Sequence, residues 1–231
     1  MLLKLGKTNV TVSGDTRFDR VFAILNQNNQ LDFIDKFKNN TLTVVVGSSW
    51  PKDETLLVNY INSSNNVKFI IAPHNINKDQ IADLKNQISK KTILFSSIDF
   101  NDLDASKLAE HEVLIIDTIG ILTKIYSYAD IVYVGGGFGN PGVHNILEPA
   151  TFGVPIIIGP NYNHFAEATA LVKMNGCISI TNQEELNEAF DQLIQNAAIR
   201  DEKGHICSTF VEMNKNATEI IMNYIIQKKT N

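Results

Sequence analysis

The chain of 231 residues has little cysteine, no excess of positive charge and no long apolar run. Its two cysteines, Cys177 and Cys207, lie far apart and form no C-x-x-C. They suit neither a zinc site nor a disulfide framework, and they point to a reducing compartment. With 20 Lys and Arg against 25 Asp and Glu, the formal net charge is -5, so there is no electrostatic case for binding DNA or RNA. No apolar run approaches the ~20 residues that a membrane helix needs. The N-terminus shows no signal-peptide pattern. Without a secretory route, N-x-[ST] triplets such as Asn9-Val10-Thr11 carry no glycosylation meaning. No set of His, Cys, Asp and Glu recurs at zinc-ligand spacing, so neither a metal nor another cofactor is expected. Linkers, internal repeats and low-complexity segments are likewise missing.

What is present is an alternation of apolar β-branched runs with helical patterns. Strands are predicted at "TLTVVVGSS" (41–49), "VKFIIAPH" (67–74), "TILFSS" (92–97), "EVLIID" (112–117), "DIVYVGGG" (130–137), "VPIIIGP" (154–160) and "CISI" (177–180). Pro51 opens a helix over 51–64, at the position where a first turn tolerates proline. Ile81, Leu84 and Ile88 make a helical stripe. Further helices are predicted over 120–129, 145–153 and 164–176. Another begins at Thr181 or Asn182 with a capping box, and a final helical stretch runs from about 206 to 227. The N-terminal "NVTVSG" reads as a strand followed by an amphipathic helix, the way into this domain from something upstream. Continuous Val/Ile strands with helices between them imply a parallel sheet covered on both faces. The fold class is therefore α/β and Rossmann-like, in one domain over 1–231.

Residues 134–160 concentrate seven of the 13 glycines and four of the 6 prolines around His144 and Glu148. Gly135, Gly136 and Gly137 end a strand, where ligands collect in such sheets. Glycine lets backbone N–H groups approach a ligand. A helix starting near Asn145 would aim free N–H groups and a positive dipole end at the same crevice. Together these read as a phosphate cradle. Gly137, Gly139 and Gly142 also fit G-x-G-x-x-G, but that fingerprint belongs to a first βα turn with an acidic residue ~20 positions on. Here the loop comes late, and the next strand ends without a carboxylate, so the NAD reading fails. His144 and Glu148 share a helix face at i and i+4. Glu148 is placed to accept from ribose hydroxyls and His144 to donate to a phosphate or sugar acid. The plainer alternatives are a helix cap and a packed ring.

Six stretches in order, "GDTRFDR" (14–20), "GSSWPKDE" (47–54), "IAPH" (71–74), "DTIGIL" (117–122), "YSYADIVYVGGGF" (126–138) and "HNILEPATFGVPIIIGP" (144–160), resemble the 3-deoxy-D-manno-octulosonic acid (Kdo) transferases of lipopolysaccharide synthesis. The likeness runs from about residue 9 to past 190. It implies the carboxyl, donor-binding half of a GT-B glycosyltransferase, with the acceptor half absent. It implies CMP-Kdo as donor, a lipid A precursor as acceptor, and inversion at the anomeric carbon without a bound metal. The catalytic base would lie in the absent amino half, so no catalytic residue is expected here. The parent enzyme would sit in the cytoplasm, attached to the inner face of the inner membrane through that other half. This domain itself needs no membrane contact.

By the same resemblance, Gly47, Ser48 and Ser49 with the helix from Pro51 form one wall of the donor crevice. Gly135, Gly136, Gly137, His144, Asn145 and Glu148 form the other. Arg17 and Arg20 either meet the phosphate or Kdo carboxylate, as guanidinium forks do, or form an internal network with Asp15 and Asp19. Lys52 and His144 are further candidates for the Kdo carboxylate. His74 either lines the cleft or packs structurally. Two positions depart from the family: Ile121 stands where many members have Glu, and His164 where they often have Asn. Two other readings are a UDP-N-acetylglucosamine 2-epimerase-like domain and a nucleotide-binding domain without chemistry.

Overall fold

The computed structural model describes residues 10–102 and 104–229. Seven strands form one sheet in the order β3-β4-β2-β1-β5-β6-β7, every pair parallel. They are β1 (Thr43–Ser49), β2 (Lys68–Pro73), β3 (Thr92–Leu94), β4 (Val113–Ile115), β5 (Ile131–Val134), β6 (Ile156–Ile158) and β7 (Cys177–Ser179). Successive side chains of a strand point to opposite faces, and each face meets its own core. Val45, Ile70, Leu114, Val132 and Ile156 enter one cluster. Val44, Val46, Phe69, Ile131 and Tyr133 enter the other. Covering both faces is what continuous Val/Ile strands require, so the expected Rossmann-like α/β class is the observed one.

The helices are α1 (Thr16–Phe22), α2 (Asp32–Lys38), α3 (Pro51–Ser63), α4 (Lys78–Gln87), α5 (Ala105–Ala109), α6 (Leu122–Ile125), α7 (Leu147–Thr151), α8 (Ala166–Lys173), α9 (Gln183–Gln195), α10 (Ala197–Asn214) and α11 (Ala217–Lys229). The stripe on α4 is buried at Ile81 and Leu84, and Ile88 is buried just beyond its end. Asn182 caps α9 through the Glu185 amide, while Glu185 accepts from the Thr181 backbone. Lys68 is buried with its ammonium donating to the carbonyls of Phe37 and Ala109, at the ends of α2 and α5. No helix among the described residues is long and apolar enough to cross a membrane.

Two elements differ from the sequence expectation. Residues 10–14 form no strand, and Asn9 lies outside the described residues. Val12 is exposed, and strand propensity without a neighbouring ladder fixes nothing. The final helical stretch starts earlier and is broken. Asn216 takes a left-handed φ of 84°, separating α10 from α11. Asp19 then caps the new helix, accepting from the amides of Asn216 and Thr218 and from the Thr218 hydroxyl.

Candidate functional site

The sheet order reverses at β1: one crossover leads to β2 on one side, and β5 lies on the other. In such sheets the crevice for a ligand opens outside the carboxyl ends of the two strands at that switch. Gly47 pairs with Val134 across β1 and β5, so Gly47–Ser49 and Gly135–Gly137 emerge side by side. The two stretches singled out from the sequence are thus neighbours in space.

The glycines permit close backbone approach. A Cβ on Gly135 would lie 2.7 Å from the Ser49 Cα, and one on Gly137 would lie 2.7 Å from the Gly159 Cα. Gly136 has φ +93°, a conformation side chains disfavour. Gly47 faces inward, where a Cβ would meet the Tyr126 ring at 2.8 Å. The loop amides are partly committed: Gly135 N–H donates to the Gly47 carbonyl and Gly136 N–H to Asp53. The amides of Gly137 and Phe138 donate to no acceptor among the described residues.

Sequence reasoning passed over Asp53. Sitting in the first turn of α3, it is wholly buried and accepts from Trp50 N–H (2.9 Å), the Tyr133 hydroxyl (2.8 Å) and Gly136 N–H (2.9 Å). One carboxyl group therefore ties the start of α3 to β5 and the glycine loop. Ser48 bulges out of β1 at φ 53°. Ser49 is buried and donates to Glu54 (2.8 Å), whose carboxyl is raised above its ordinary pKa by burial, with the neighbouring Asp53 adding to it.

Trp50 was also overlooked. Its indole N–H donates to His144 Nε2 at 2.9 Å. The exposed His74 ring stacks on both, 4.6 Å from Trp50 and 4.4 Å from His144. The His144 pKa is lowered by burial and by the adjacent His74. Asn145 lies just before α7, where its side chain accepts from Leu147 N–H and donates to Glu148 at 2.9 Å. The other Glu148 oxygen accepts from Thr123 at 2.6 Å. Glu148 is thus oriented from two sides, with lone pairs to spare.

His144 and Asn145 border a cleft of ≈ 400 Å³, with Arg17 and Arg20 of α1 and Phe165 opposite. Arg17 is engaged: its fork meets Glu167 at 2.7 and 3.2 Å and its Nε meets Asp15 at 2.9 Å. Arg20 is exposed and has no partner among the described residues. The expected Asp–Arg network is therefore half present, since Asp15 holds Arg17 while Asp19 caps α11. Lys52 is exposed on the first turn of α3, outside the cleft lining, and His164 is exposed before α8. Ile121 packs against the core at the start of α6.

The seven-stranded parallel sheet with helices on both faces is the fold of the GT-B glycosyltransferase domains that this chain resembles in structure. No family model matches it. Its sequence is similar to the 3-deoxy-D-manno-octulosonic acid transferase of Chlamydophila psittaci: 31% identical over 190 residues, which are 78% of this chain and 42% of that protein. The chain thus spans less than half the length of that curated relative, and it is related to the Kdo transferases as its motifs imply. Its structure is similar to the C-terminal CMP-Kdo binding domain of WaaA from Acinetobacter baumannii, with TM-score 0.64 and 20% identity, over 84% of this chain and 98% of that one. It is also similar to the UDP-GlcNAc 2-epimerase of Neisseria meningitidis bound to UDP-GlcNAc, with TM-score 0.64 and 14% identity, over 98% of this chain and 57% of that one. The structural likenesses speak for the fold alone, and the sequence likeness separates the two readings.

Proposed function

We propose that this chain is the donor-binding domain of a Kdo transferase, gripping CMP-Kdo while Kdo passes to a lipid A precursor and CMP leaves. The observation that carries the reading is the convergence of Arg20, His144 and Asn145 on one cleft beside the glycine loop. CMP-Kdo presents two anions there, a phosphodiester and the sugar carboxylate. An unpaired guanidinium suits either, and preorganised donors stabilise the charge that develops on departing CMP. Arg20 is the guanidinium we assign to this task, because Arg17 already serves Glu167 and Asp15. Glu148, held by Thr123 and Asn145 outside the lining of that cleft, is the group we assign to the ribose hydroxyls. To the phosphate we also assign the Gly137 and Phe138 amides, which donate to no acceptor among the described residues.

In this reading the transfer inverts the anomeric carbon. The base and the acceptor site lie in a part of the enzyme outside this chain, which also holds it to the inner membrane. The chain alone binds CMP weakly and transfers nothing. Calorimetry with CMP and with UDP tests the assignment: CMP should bind more tightly, and Arg20→Ala should weaken it. Preference for UDP would favour the epimerase-like reading. Turnover of CMP-Kdo with lipid acceptor by the chain alone would overturn the division of labour.

A further inference from the structure

An indole N–H can only donate. Trp50 Nε1 lies 2.9 Å from His144 Nε2, so that imidazole nitrogen must accept and carries no proton. In the neutral ring the proton then resides on Nδ1, because the hydrogen bond at one nitrogen sets the tautomer of the other. The ring has little freedom to exchange this arrangement. Its backbone N–H donates to the Gly135 carbonyl at 3.1 Å. Its Cδ2–Nε2 edge lies against Gly136, where a Cβ would come within 2.9 Å of Cδ2. One face stacks on His74.

Trp50 is itself fixed: its backbone N–H donates to the same Asp53 carboxyl that holds Gly136. The indole and the loop beneath His144 therefore share one buried anchor. Nδ1 is left on the ring edge away from Trp50 and Gly136. It makes no hydrogen bond to the described residues, and His144 is one of the residues that border the cleft with Arg20 and Asn145.

We propose that Trp50 is a positioning residue that holds His144 as the neutral, Nδ1-protonated tautomer, so that the cleft receives a fixed N–H donor for an anionic oxygen of the donor substrate. The ligand clause rests on the reading of the cleft as the CMP-Kdo site; the tautomer clause does not. The arrangement has a chemical consequence. With Nε2 covered by the indole, His144 acts toward the ligand as a hydrogen-bond donor and not as a base. Protonating Nε2 would set two N–H donors against each other and break the pair.

The test is long-range 1H–15N spectroscopy of the histidine-labelled chain, with His144 assigned through a His144→Gln variant. The wild type should show Nδ1 protonated and Nε2 free of a proton. Trp50→Phe keeps an aromatic ring beside His74 but removes the N–H, so the Nδ1–H tautomer should give way to a mixture. CMP should shift the wild-type Nδ1 proton and should bind Trp50→Phe about 3- to 10-fold more weakly, the worth of one neutral hydrogen bond. A wild-type ring protonated at Nε2 overturns the proposal even if the variant fails to fold, as does an unchanged tautomer in folded Trp50→Phe. A changed tautomer with unchanged CMP affinity overturns the ligand clause. Failure of the wild type to bind CMP overturns the donor-site reading, while the tautomer result still decides the role of Trp50.

Discussion

Replacing Asp53 with alanine tests whether one carboxyl group holds the site together. Asp53 is wholly buried and accepts three hydrogen bonds, two of them, from Trp50 N–H and Gly136 N–H, on Oδ2 and one, from the Tyr133 hydroxyl, on Oδ1. Alanine leaves three donors without that acceptor, the Tyr133 hydroxyl and Gly136 N–H buried and the Trp50 N–H part-buried. At about 1–3 kcal/mol for each buried group left unpaired, with some relief from water or rearrangement, the loss is about 3–6 kcal/mol. A domain of this size holds about 5–15 kcal/mol in total, so the variant should be severely weakened. Asparagine discriminates the mechanism. With its carbonyl oxygen in the Oδ2 position it still accepts both amides, and its NH2 group turns the Tyr133 hydroxyl into an acceptor. That variant should lose only about 1–2 kcal/mol. Urea unfolding followed by circular dichroism measures both, the midpoints and slopes giving the two differences. If Asp53→Ala loses under 1 kcal/mol, or if Asp53→Asn loses as much as alanine, the three-donor account is wrong.

Gly47→Ala forces a methyl group against the buried Tyr126 ring, 2.8 Å from its Cζ, and should destabilise by about 1–3 kcal/mol in thermal unfolding. Arg20→Ala should weaken CMP in calorimetry with little change in stability, whereas Arg17→Ala should lower stability by stranding Glu167, which is only 8% exposed, with a smaller effect on CMP. His144 has a lowered pKa in the folded chain, from burial and from His74. The unfolded chain therefore takes up that proton first, at about pH 6.5, and stability falls as pH drops from there through the lower folded value. Urea midpoints should decline in that window and decline less in His144→Gln. Lys68→Met removes the ammonium shared by the Phe37 and Ala109 carbonyls and should cost about 1–3 kcal/mol by leaving both acceptors unpaired.

Much of the fold is legible because its signals are local. Runs such as Val44-Val45-Val46 and Ile156-Ile157-Ile158 are read from neighbours in sequence, and Pro51 marks the start of α3 without any tertiary knowledge. The strand at residues 10–14 misleads because its β-branched residues find no partner ladder. α2 and α5 escape because each is short, and α5 is amphipathic over a single turn. In the site, the glycine stretch is conspicuous, but its reason is not. Glycine at 135 and 137 answers to the backbones of Ser49 and Gly159, a proximity created only by sheet order. Asp53 looks like any acid in a first helical turn until Gly136 and Tyr133 arrive from 80 or more residues away. Trp50 and His144 are 94 positions apart, and Arg17 meets Glu167 across 150. Which arginine stays unpaired is therefore decided by topology, not by the motif that contains both.

In the proposed reading, that pairing also decides how the cleft would meet an anion. Two guanidiniums reach the cleft region, but Arg17 faces two carboxylates, Asp15 and Glu167, and His144 is held toward its neutral form. Summed over Asp15, Arg17, Arg20 and Glu167, the formal charge is zero. A ligand with two negative charges is therefore not drawn in by bulk positive potential, which a chain of net charge -5 does not offer either. If the cleft is the donor site proposed above, recognition comes from direction: Arg20, which no described residue pairs, the N–H proposed for His144, and the Gly137 and Phe138 amides, which donate to no acceptor among the described residues. Such a site gains selectivity from preorganisation while keeping affinity modest, because each group contributes a hydrogen bond and none contributes a desolvated, uncompensated cation. Under the proposed reading, a donor site that must release CMP after transfer is served by that balance, since groups arranged for the departing anion then hold it weakly enough to let it go.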